Sequence, residues 1–106
     1  MVLMNEIQWN ADGLIPAIVQ DSDSKEILML AYMNQAALEK TLEIKEAVFW
    51  SRSRQEIWHK GLSSGNRMHV QEIKVDCDAD TLLLLVKPDG PACHTGAISC
   101  FYRSME

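Results

Sequence analysis

Three aspartates, Asp76, Asp78 and Asp80, occupy every second position of "VDCDADTLLLLV", and Cys77 stands between the first two. Carboxylates in that density suit a hard cation such as Mg²⁺, and a thiolate suits a softer one such as Zn²⁺. On an extended backbone the three aspartates share one face and Cys77 takes the other. Asp76 and Asp80 would then lie about 13 Å apart, too far to grip one ion. The chain must therefore bend near Asp80, or one carboxylate must act through water. An EF-hand register counted from Asp76 puts Thr81 and Lys87 where Gly and Glu are needed, so that motif is excluded. A solvated acidic turn between two strands is the plain alternative.

Two more cysteines, Cys93 and Cys100, sit in "PACHTGAISCF". Their spacing is not the C-x-x-C of a structural zinc knuckle. Three thiols with a fourth position left for water is the pattern of a catalytic zinc site. Three buried core cysteines are the competing reading. His94 adjoins Cys93 and could act as general base beside an activated water. His59 and His69 have no local partner and read as surface or satisfied histidines. Positive charge gathers at Arg52, Arg54, Lys60 and Arg67. Between them the loop of Ser64, Gly65 and Asn66 offers amides and a hydroxyl to a phosphate. Trp50 and Trp58 could stack a base but read more naturally as core.

These residues need elements to hold them. Gly13–Asp21 reads as an edge strand because Pro16 lies within it. Ile27–Met33 is a buried strand, and Asn34 caps a helix over "QAALEKTLEI" with Ala37, Leu38, Thr41, Leu42 and Lys45 along one face. Ala47–Arg54 and "EIWHKG" are strand candidates, and 61–66 is a loop. In "RMHVQEIKVD" the alternation slips between Val70 and Ile73, as at a bulge. "TLLLLV" is a strand, "KPDGPA" a turn and "SCFY" a short terminal strand. The fold class is mainly β (α+β) with one helix, in a single domain spanning 1–106.

Bulk properties bound the function. The 106 residues are 47% apolar and 24% charged, with net charge −5. That charge argues against a nucleic-acid surface or an anionic membrane. An odd cysteine count fits a disulfide framework poorly. There is no secretory leader and no apolar run of membrane length, so a cytoplasmic protein is expected.

The stretches "GLIPAIVQD", "LMLAYMN", "FWSRSR", "WHKG" with "SGN", "DCDADTLLLLV" and "GPACHTGAISCF" together resemble the phosphoribosyl-AMP cyclohydrolase family of histidine biosynthesis, in order and over nearly the whole chain. One departure is Leu62, where the family often has an acidic residue. The chain ends soon after "SCFYR", without the pyrophosphohydrolase half carried by some relatives. The resemblance implies an intertwined homodimer with one Zn²⁺ per subunit, held by Cys93 and Cys100 of one subunit and Cys77 of its partner. It also implies Mg²⁺ at Asp76, Asp78 and Asp80, and phosphoribosyl-AMP as substrate. The implied reaction is opening of the adenine N1–C6 bond by zinc-activated water. His94 would move the proton, and Arg52, Lys60, Ser64, Gly65 and Asn66 would hold phosphate. A zinc-dependent nucleotide deaminase is less favoured, since H-x-E with P-C-x-x-C is absent. A zinc-stapled dimer module without catalysis is the third reading.

Overall fold

A computed structural model describes residues 1–105. Apolar runs of strand length supply its frame. They are β1 (Ile15–Asp21), β2 (Ile27–Met33), β3 (Val48–Ser51), β4 (Glu56–His59), β5 (Met68–Val75) and β6 (Leu82–Pro88), with one helix, α1 (Gln35–Ile44). A single 3-10 turn, Met4–Glu6, precedes them. The strands form one sheet in the order β4-β3-β2-β1-β6-β5. The protein is mainly β with one helix, as its sequence implies.

β1 is not an edge strand. It pairs antiparallel with β2 and parallel with β6. Pro16 is tolerated because the β6 ladder starts only at Ala17↔Leu82, one residue later. The slip expected in β5 is a bulge: Val70 pairs with Val86 and Glu72 with Leu85, leaving Gln71 extra. Met68 and Val70 before it and Ile73 and Val75 after it can then share the core side. A second irregularity leaves Leu28 extra between Val19↔Met29 and Gln20↔Ile27.

Asn34 caps α1 as expected, its Oδ1 accepting from the Ala37 N–H at 2.8 Å. Ala37, Leu38 and Thr41 are buried, and the Thr41 hydroxyl donates to Ala37 O at 2.9 Å and accepts from Val48 N–H at 3.0 Å. Leu42 and Lys45, read along the same face, are not buried with them. Leu42 is exposed, and Lys45 is the left-handed C-cap at φ 59°. Beyond that cap the chain meets β5: Ala47 N–H donates to Met68 O and Val70 N–H to Lys45 O. Those bonds curl the sheet so that its β3 side reaches β5. The enclosed core includes Phe49, Ile15, Leu28, Met33, Met68, Leu82 and Leu84, all fully buried.

Ser99–Tyr102 forms no strand. It is pinned instead by single bonds to β2: Cys100 N–H donates to Leu28 O at 2.7 Å and Ser99 Oγ to Ile27 O at 2.7 Å. The bulged Leu28 carbonyl is thus used by the C-terminal segment.

Candidate functional site

The acidic stretch is a turn between β5 and β6, not an extended strand. Ala79 takes φ 61°, and the Asp76 carboxylate accepts from the N–H of Asp80 (3.0 Å) and Thr81 (3.2 Å). The bend removes the 13 Å separation: oxygens of Asp76, Asp78 and Asp80 lie within 4.8 Å of one another, all exposed. Each carboxyl responds differently. Asp76 is held below the usual carboxylate range. Desolvation opposes this, but hydrogen bonds from Asp80 and Thr81 outweigh it. Asp80 is pushed up, first by its hydrogen bond to Asp78 and then by that to Asp76. Three carboxylates this close repel, and a cation among them would relieve that repulsion. Their oxygen donors fit a hard divalent ion.

The three thiols are free and none is buried, which removes the core-cysteine reading. Cys93 and Cys100 come close enough to interact, with the Lys60 ammonium beside them. Thr95 Oγ1 lies 3.1 Å from Cys93 Sγ and, with its own backbone N–H, holds that thiol below its ordinary pKa. Burial pushes the Cys100 thiol up. Two adjacent sulfurs, Cys93 half-buried and Cys100 exposed, fit Zn²⁺.

Cys77 is elsewhere. It lies just beyond Val75↔Leu82, at one end of the β5–β6 ladder. Cys93 follows Pro88, which pairs with Met68 at the other end. The strand between rises about 20 Å. Tight turning after "KPDGPA" could have brought Cys93 back beside β6. Instead 91–100 runs irregularly to β2, where Cys100 is anchored. Among the described residues no group unites the three thiols.

Around Cys93 opens a cleft of about 580 Å³, a volume typical of small-ligand sites. His94, Lys60, Arg54, Ser64 and Asn66 line it together with Trp58 and His59. The loop floor is rigid. Gly61 has φ 82°, and a Cβ there would overlap the Asn66 carbonyl and the Arg67 amide. The Asn66 side chain rests on Gly90, where a Cβ would strike it. Arg52 does not line this cleft. Its guanidinium stacks on Tyr32, 4.0 Å from the ring centroid, beside a smaller hollow with Trp50. Trp58 serves both core and cleft, its ring 5.5 Å from Phe49.

Partners distant in sequence explain the histidines. His59 Nε2 meets Glu46 Oε1 at 2.9 Å, and His69 Nε2 meets Asp89 Oδ2 at 2.8 Å. Glu46 also faces Arg67 at 3.7 Å. Sequence reasoning missed Glu46, which no local signal ties to His59.

Among the described residues no helix is long and apolar enough to cross a membrane. Comparison with known proteins gives consistent matches. Residues 29–102 match the model of the phosphoribosyl-AMP cyclohydrolase family. A histidine biosynthesis bifunctional protein of Bacillus subtilis is 64% identical over 93% of this chain. The chain spans about half that protein's length, 47%. A phosphoribosyl-AMP cyclohydrolase of Lacticaseibacillus casei is 59% identical over 94% of this chain and 92% of its own. One from Haloquadratum walsbyi is 56% identical over 95% and 76%.

Proposed function

The chain belongs to the phosphoribosyl-AMP cyclohydrolase family of histidine biosynthesis, and on that footing we propose that it opens the adenine ring of phosphoribosyl-AMP. The observation that carries this reading is the cleft itself, which gathers Cys93, His94, Lys60, Ser64 and Asn66, though not Gly65, around a nucleotide-sized space.

The phosphoribosyl group on N1 leaves the ring electron-poor and C6 electrophilic. A water adds to C6, the C6–N1 bond breaks, and the exocyclic nitrogen stays as the carboxamide. His94, exposed at the cleft wall, takes the proton from the water and returns it to N1. Zinc, held by Cys93, Cys100 and the partner subunit's Cys77, would supply a Lewis acid that lowers the pKa of a water toward about 7. The turn of Asp76, Asp78 and Asp80 would hold Mg²⁺ against a substrate phosphate. Ser64 and Asn66 line the cleft and would meet another. Arg52 stands on a separate hollow and would serve the far end of the substrate.

The placement of the thiols supports a homodimer. Cys77 lies beyond one end of β6 and the Cys93 segment leaves the other, with about 20 Å of strand between those ends, so a second copy would complete the site with its own Cys77.

Incubating metal-loaded protein with phosphoribosyl-AMP tests the reading. Ring opening to the formimino-carboxamide product is expected. Release of ammonia would favour a deaminase, and no turnover a zinc-stapled module.

A further inference from the structure

Lys60 leaves β4 with its own N–H on the Ala47 carbonyl at 3.2 Å. Its side chain reaches across the cleft. Nζ donates to the Ala92 carbonyl at 2.5 Å, the residue immediately before Cys93. The ammonium passes 5.2 Å from the Trp58 ring centroid and lies in the field of both Cys93 and Cys100. A lysine that grips phosphate keeps its three donors free for the ligand. Here one is fixed on backbone, and the charge faces sulfur.

That placement has a chemical use. Three thiolates around a dication leave a net negative charge, which is costly in a partly desolvated cleft. A cation beside the sulfurs balances it, and the bond to Ala92 fixes the segment from which Cys93 projects. We propose that Lys60 is a positioning residue for the Cys93–Cys100 pair and not a phosphate ligand. This rests on the zinc reading of those cysteines given above.

The test is zinc affinity of the purified full chain, measured by competition with a chromophoric chelator at fixed pH. Lys60→Met removes both charge and donor. Lys60→Gln removes the charge and leaves an N–H donor one atom shorter. Lys60→Arg keeps the charge. Met and Gln variants should bind zinc about 10–100-fold more weakly, the usual loss when a ligand's supporting partner is removed. The Arg variant should stay near wild type, a rescue that lost packing alone would not produce. Circular dichroism reports folding; if Lys60→Met does not fold, the Gln and Arg pair decides. Folded Gln variants that hold zinc as tightly as wild type, with only the KM for phosphoribosyl-AMP raised, would overturn the proposal in favour of phosphate binding. Zinc that survives intact in the Cys93→Ser, Cys100→Ser double variant would overturn the metal reading, and this proposal with it.

Discussion

At the scale of single residues, the aspartates show how far spacing can be read. Their density announces a cation, but a period of two suggests an extended strand. Asp76 decides otherwise, because its carboxylate takes the backbone N–H groups of Asp80 and Thr81 and closes a turn. The closed turn stacks three carboxyls, and the hydrogen bonds of Asp80 to Asp78 and Asp76 push its carboxyl above the usual range. A divalent cation relieves the repulsion among the three. We expect Mg²⁺ to raise the thermal midpoint of the zinc-loaded protein, and Asp78→Asn to lose more than half of that rise with zinc content unchanged. Asp78 donates nothing to the turn's backbone bonds, so its loss leaves the turn formed. Loss of zinc from a folded Asp78→Asn protein would contradict the separation of the two metal sites. The histidines lay beyond sequence reasoning for another reason. His59 meets Glu46 because β4 pairs with β3, setting His59 opposite Val48 and Lys60 N–H on the Ala47 carbonyl.

At the scale of elements, the cleft depends on a short loop with little freedom. Gly61 and Gly65 both have positive φ, 82° and 84°. A Cβ at Gly65 meets open space, whereas one at Gly61 overlaps backbone. Gly65→Ala should therefore cost about 1–2 kcal/mol of strain alone. Gly61→Ala adds overlap and should cost about 2–5 kcal/mol. Urea unfolding of the two variants checks the difference, and equal losses would show that the loop is softer than its packing implies. The same contrast marks what the sequence reveals. Apolar runs located β1, β2 and β6, the Asn34 cap located α1, and a slipped alternation located the β5 bulge. Those signals are local. Edge or interior position is not, so Pro16 pointed the wrong way for β1. The terminal strand was also misread, because "SCFY" is held by side-chain and single backbone bonds to the bulged start of β2 and not by a ladder. The candidate cleft residues were legible by type, but Arg54 rather than Arg52 lines the cleft, since the turn between β3 and β4 sends the two arginines to different hollows.

At the scale of the whole molecule, the β5–β6 ladder sets the argument. It holds Cys77 at one end and the Cys93 segment at the other, with about 20 Å of strand between. A small domain also leaves apolar surface uncovered; Ile27, Leu30, Ile98, Phe101 and Tyr102 are exposed. A second copy would answer both needs, covering apolar area and carrying its own Cys77 to the thiol pair. Twofold symmetry then makes two sites per dimer, each built from both chains. Cys77→Ser and Cys93→Ser variants should each be inactive. Unfolded together and refolded with zinc, they pair at random, and half the dimers are mixed. In a mixed dimer one site draws every thiol from intact donors while the other carries both lesions. Activity should return to about a quarter of wild type. If each chain built its own site, every site would keep one lesion and nothing would return. A mixture shown to contain mixed dimers by mass spectrometry, yet without activity, would rule out the shared site.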